Sequence, residues 1–218
     1  TNGGITSLQI LPGSANLMGG RTVTLKNVPA RTMQGMKFPG APYGLKMACG
    51  ENPKRVYGGR GRMPSTRMGN LAVNRQTWAQ AAEYRRKADA GEAQPRNIAM
   101  ETLAEVLRGN ILVHNHCYRA DEMAIVIDMA EEFGYKVSTF HHAVEAYKIA
   151  DLLRDNNICG AMWADWWGFK MEAYDAIPEN IALMQQAGAC TIVHSDDANQ
   201  IQRLNQEAAK AIAAGRRA

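Results

Sequence analysis

After residue 110 the chain alternates short apolar runs with amphipathic segments, and this alternation restricts the fold more than any other feature. Ile111-Leu112-Val113 follows Gly109-Asn110 and reads as a buried strand. Asp121 to Phe133 sets Met123, Ile127 and Ala130 along a helix, and Gly134 ends it as a C-cap. The same reading predicts strands at Lys136–Phe140, Gly160–Trp163 and Cys190–Val193, and helices at Ala143–Arg154, Pro178–Gln186 and Asn199–Ala214. Strand and helix in strict alternation mean parallel β/α units, in a closed (β/α)8 barrel or an open doubly wound sheet.

The first half fits that plan less regularly. Strands are expected at Ile5–Leu11, Val23–Leu25 and Gly44–Cys49, and helices at about residues 71–88 and 98–107. Between them lies a Gly-, Pro- and Arg-rich insertion from Glu51 to about Asn70. This makes seven expected strands against the eight of a barrel. The chain opens on Thr1 with no basic segment leading into an apolar one, so no signal peptide is visible. No apolar run approaches the roughly 20 residues of a membrane span. The 218 residues are therefore expected to form one domain, with a compartment that the sequence leaves open between cytoplasm and periplasm or secretion.

Histidine carries the chemical signal. All five, His114, His116, His141, His142 and His194, fall at or just after the C-terminal end of an expected strand. In β/α folds those ends form the active face. A single histidine there is readily explained as a hydrogen-bonded structural residue, but five of five on one face point to a metal site. Asp196 and Asp197 follow His194-Ser195. Either can ligate a divalent ion or take a proton from water, and either can cap the last helix. Lys46 lies inside an expected strand, where a cation is costly to bury. An ion pair would explain it, and so would an amine that reacts with CO2.

Other signals exclude more than they assign. Residues 54 to 67 carry five cations and three glycines, but Tyr57 is their one aromatic, which serves nucleic-acid stacking poorly. A solvated loop is the plain reading. A loop on the active face whose Arg67 and Arg62 grip a substrate carboxylate is the functional one. Position 64 is proline, so the glycines complete no GxGxxG, and no phosphate-binding GxxxxGK[ST] occurs. Trp163-Ala-Asp-Trp-Trp-Gly168 is either a packed aromatic cluster or a pocket wall. Tyr118 and Arg119 follow His116 and could orient substrate. The four cysteines are widely spaced without a CxxC and read as buried thiols.

The ordered set Lys46, Val113-His-Asn-His116, Phe140-His-His-Ala-Val-Glu-Ala-Tyr-Lys148 and His194-Ser-Asp-Asp197 resembles the amidohydrolase superfamily. Within it, the chain looks like the imidazolonepropionase-related and Xaa-Pro or Xaa-Arg dipeptidase-like branch. Gly3 to Gly13 resembles the family's second strand, and Leu204 to Lys210 the helix after its last strand. The resemblance implies a distorted (β/α)8 TIM-type barrel holding one or two divalent metals, commonly zinc. It implies metal ligands at His114, with His116 as alternate, at His142, with His141 as alternate, and at Asp196. It also implies a carbamylated, metal-bridging Lys46. Asp196 would be the catalytic base for hydrolysis of an amide, cyclic amide or dipeptide by metal-activated water.

The family's first-strand His-x-His and its small C-terminal β-domain have no counterpart here. The expectation is thus an incomplete barrel with part of its metal site missing, binding metal weakly and turning over little. Its open strand edges would invite self-association. The competing expectation is a binding domain that keeps the fold without turnover. Neither reading calls for nucleic acid or a membrane as partner.

Overall fold

The computed structural model describes residues 4–166 and 168–217. Gly3 of the second-strand motif and Trp167 of the tryptophan run lie outside the described residues. Seven strands form one sheet in the order β1-β2-β3-β4-β5-β6-β7. They are β1 (Ser7–Ile10), β2 (Met18–Lys26), β3 (Tyr43–Ala48), β4 (Ile111–Cys117), β5 (Val137–His142), β6 (Cys159–Met162) and β7 (Thr191–Val193).

The expected (β/α)8 barrel is not formed. The sheet is mixed: β1 pairs antiparallel with β2 and β2 antiparallel with β3, while β3 to β7 are parallel. The cause lies in the connections. A parallel pair needs a crossover of a dozen or more residues, usually with a helix that packs on the sheet. Residues 11–17 are too few for one, and residues 27–42 carry only the single-turn helix α1 (Met33–Met36). From β3 onward every connection contains helix, and the parallel pattern read from the sequence appears.

The connecting helices are α2 (Glu51–Gly58), α3 (Arg67–Asp89), α4 (Ile98–Leu107), α5 (Ala120–Phe133), α6 (Ala150–Asp155) and α7 (Asn180–Gln186), and α8 (Leu204–Gly215) follows the last strand. Local chemistry sets their ends. Thr66 caps α3 by accepting the Gly69 N–H, and Asn97 caps α4 by accepting those of Ala99 and Met100. Gly134 closes α5 at φ +74°, a conformation that glycine adopts without strain. The expected insertion at 51–70 is shorter than its composition implied, because α2 takes up its first eight residues. Among the described residues no helix is long and apolar enough to cross a membrane.

Side chains alternate across the sheet. Leu45, Met47, Val113, Phe140 and Met162 face the helices and join Trp78, Met123 and Leu153 in the main core. The opposite face carries Lys46, His114, His116 and His141. All four cysteines are paired, Cys49 with Cys117 and Cys159 with Cys190, rather than standing as free thiols. Register explains both pairings. Ala48 opposes His116, and Gly160 opposes Thr191, so each cysteine of a pair meets its partner across neighbouring parallel strands. Separations of 68 and 31 residues conceal this in the sequence.

Candidate functional site

Lys46 on β3, His114 and His116 on β4, His141 and His142 at the end of β5, and His194 just past β7 gather at one end of the sheet. A cavity of about 570 Å³ there is lined by Lys46, His116, His141, His142 and Asp196, with Asn52, Tyr118, Trp163, Trp166 and Phe169 forming its wall. A neighbouring cavity of about 470 Å³ is lined by Gln9 and Leu11 on one side and by His194 to Asp197 on the other. The edge strands β1 and β7 of the sheet therefore both border it. Volumes of this size suit a small-molecule ligand.

The imidazoles fall into two linked groups. His114 Nδ1 is 3.1 Å from His141 Nε2, and His114 Nε2 is 3.1 Å from the Gln9 amide nitrogen. Gly44 makes room for this ring: a Cβ there would stand 2.8 Å from His114 Cδ2. In the second group His142 packs against His116, with ring centroids 4.5 Å apart, and against His194 at 5.2 Å. His142 Nε2 lies 3.8 Å from Asp196 Oδ2. Trp163 backs this group, its centroid 4.3 Å from His142, and is fixed by its indole N–H donating to Ser195 O at 3.0 Å.

Backbone strain concentrates here. Four described non-glycine residues have positive φ, and three of them are His142 at 70°, Ala143 at 41° and Asp196 at 52°. Such conformations cost on the order of 1–3 kcal/mol each and cluster at functional sites. The turn after β7 also separates the two aspartates. Asp197 accepts the Asn199 and Gln200 N–H groups at 2.8 Å and so caps the turn. Asp196 is left facing His142.

Burial sets the charge states. It pushes His114 and His194 down to about 4, with the Lys46 ammonium adding to both. It pushes His141 down to about 2, helped by His114 and His194, and holds His116 and His142 far below the usual histidine range. All five rings are therefore neutral near pH 7, the state in which imidazole ligates a metal. Burial also lowers the Lys46 amine, which Asp196 partly opposes. It raises the Asp196 carboxyl, which Lys46 partly opposes and Asp197 reinforces.

The donor set fits a divalent ion. Neutral imidazoles and a carboxylate are ligands that zinc and its neighbours take. Nδ1 of His142 and Nε2 of His194 are buried without a hydrogen-bond partner. A neutral ring keeps one bare lone pair, and a cation is a partner that such lone pairs lack. The donors are not drawn tightly together, however. His142 and Asp196 meet, whereas His114 is held on Gln9 and His141. Among the described residues, one group of three or more His, Cys, Asp or Glu has all its ligand atoms within 4.8 Å of one another. It is Cys49, Cys117 and Glu122, whose two sulfurs are already bonded to each other.

The arginines named from the sequence are engaged elsewhere. Arg67 pairs with Glu122 and lies 3.5 Å from Glu172, and Arg119 pairs with Asp121 at 2.9 Å. Arg62 lies over the Tyr57 ring. Tyr118 lines the larger cavity, 4% exposed. Gln9, Asn52 and Lys170 contact the site or its wall and were not singled out from the sequence. Each lies outside the histidine motifs, and only the folded sheet brings it there.

No family model matches the chain. In fold and sequence it is similar to a solved amidohydrolase from Thermotoga maritima MSB8, with 34% identity and a TM-score of 0.89. That likeness covers 98% of this chain and 57% of the other. The chain is also 33% identical over 224 residues to amidohydrolase tasK of Hapsidospora irregularis, covering 90% of this chain and 23% of that protein. It thus spans less than two thirds of either relative. Both names support a hydrolase.

Proposed function

We propose, from the amidohydrolase-family assignment that these two homologues support, that the chain carries a divalent-metal site for hydrolysing C–N bonds. The substrates proposed are small amides, cyclic amides or dipeptides. One observation carries the reading: five neutral histidines, Asp196 and Lys46 converge on adjoining cavities at one end of the sheet. The residues that would hold the ion are His114, His142, Asp196 and Lys46, with His116 and His141 as alternates. When bound, such an ion supplies Lewis acidity, polarising a carbonyl and activating water near neutral pH.

The chain's own groups do the rest. Asp196 accepts a proton at its carboxylate and passes it to the leaving amine; its side chain is 60% exposed, and partial desolvation with Asp197 beside it raises its affinity for protons. Lys46 with a lowered pKa presents a larger neutral fraction to CO2. Its nitrogen then bonds carbon and releases a proton, and the product is an anionic carbamate suited to a cation. Tyr118 and the tryptophan wall limit water around the scissile bond.

The test is metal analysis of the purified chain combined with an assay on a panel of cyclic amides and dipeptides. Bound zinc or a similar ion with amide turnover is the expected result. Metal without turnover would favour the binding-domain reading, and the absence of both metal and turnover would refute the proposal.

A further inference from the structure

The segments after β3 and β6 meet beside His116 through polar contacts that the proposed hydrolysis does not use. Glu172, 3% exposed, accepts the Glu51 N–H at 3.0 Å and pairs with Lys170 Nζ at 3.1 Å. A Cβ on Gly50 would stand 1.9 Å from Glu172 Oε1, so this carboxylate is seated against backbone. Lys170 Nζ lies 4.1 Å from the Tyr118 ring centroid and donates to Asn52 Oδ1 at 3.2 Å. The Asn52 Nδ2 lies 3.4 Å from His116 Nε2.

The chemistry of these donors fixes a proton. An ammonium has donors and no acceptor, so the Asn52 atom facing it is the carbonyl oxygen. The amide NH2 then faces His116, and an NH2 offers nothing to accept a hydrogen bond. Nε2 must therefore receive the bond through its lone pair, and a neutral ring with a bare Nε2 carries its proton on Nδ1. We infer that Lys170 and Asn52 are positioning residues that hold His116 in the Nδ1–H tautomer, with its basic nitrogen on the Asn52 side of the cavity. A neutral amide at 3.4 Å is a weak hold, so that lone pair stays exchangeable for a ligand or a substrate proton. Its use in hydrolysis rests on the function proposed above, whereas the tautomer itself does not.

Long-range 1H–15N correlation spectra of the metal-free chain, labelled with 15N in the histidine rings, read the tautomer directly. The wild-type chain should show His116 protonated at Nδ1. Asn52→Asp replaces the donor with an acceptor, and the two ring nitrogen shifts of His116 should exchange. Lys170→Met frees the amide to turn over and should give both tautomers; it also serves if Asn52→Asp fails to fold. A wild-type His116 protonated at Nε2, a folded Asn52→Asp chain with the wild-type pattern, or a Lys170→Met chain still purely Nδ1–H would overturn the inference. Absence of amide turnover would refute the function and leave this assignment standing.

Discussion

Replacing Gly44 with alanine should damage the fold and the candidate site together. The added Cβ would stand 2.3 Å from Thr22 Oγ1 and 2.8 Å from His114 Cδ2, closer than non-bonded atoms approach. Thr22 is 1% exposed and His114 7% exposed, so neither has free space to enter. Overpacking of this kind costs about 1–3 kcal/mol. The lower backbone entropy of alanine in the unfolded chain returns about 0.4–1 kcal/mol. Mid-range values leave a net loss of about 1.3 kcal/mol, which in a chain of this size lowers Tm by roughly 3–5 °C. Because His114 must move, its 3.1 Å contacts to Gln9 and His141 should break as well. Gly13→Ala is the control: a Cβ there meets nothing within 4 Å, and its φ is not positive. Thermal unfolding followed by circular dichroism, with zinc titration of both variants, makes the comparison. A Gly44→Ala chain with the stability and zinc affinity of Gly13→Ala would refute this packing argument.

Acid should destabilise the chain over a defined window. His114 and His194 bind protons below about 4 when folded against 6.5 in the reference state. The unfolded chain thus holds more protons between those values, and stability that is full above pH 6.5 falls towards pH 4 by up to ~1.4 kcal/mol per pH unit for each group. Asp196 and Glu122, whose pKa values burial raises, take up protons in the folded state and soften the acid end. Urea midpoints from pH 8 to pH 4 check the slope, and a flat profile would contradict it. Ellman titration of the native chain should find no free thiol, and reduction should lower stability by about 2–4 kcal/mol. Four reactive thiols in the folded chain would show that the register argument misreads the cysteines. Lys46 should form a carbamate, visible as a 13C signal after bicarbonate labelling and absent in Lys46→Met; the same signal in that variant would place the label elsewhere.

The sequence revealed what depends on local pattern. The helix at 98–107 and the parallel strands from residue 111 onward follow from periodicity and capping residues such as Asn97 and Gly134. The antiparallel pairing of β1 to β3 was hidden because strand direction depends on whether a connection carries a packing helix, and the strand residues themselves hold no record of that. The histidine cluster was legible because position at strand ends is a one-dimensional property. Its inner arrangement was not: the His114–His141 contact arises from the register shift between β4 and β5. The ion pairs that engage Arg67 depend likewise on side chains 55 and 105 residues away. Lys170 and Asn52 are 118 residues apart, and no spacing rule joins them.

Zinc binding by calorimetry, run on the wild-type chain, His142→Ala and Asp196→Ala, tests the proposed metal site most directly. His142 and Asp196 are the pair of proposed ligands that the fold brings to 3.8 Å. The account predicts a bound ion in the wild-type chain and at least roughly tenfold weaker binding in each variant, since losing even an outer-shell partner costs 10–100-fold. A wild-type chain that takes up no divalent ion, or variants that bind it as tightly as the wild type, would contradict it.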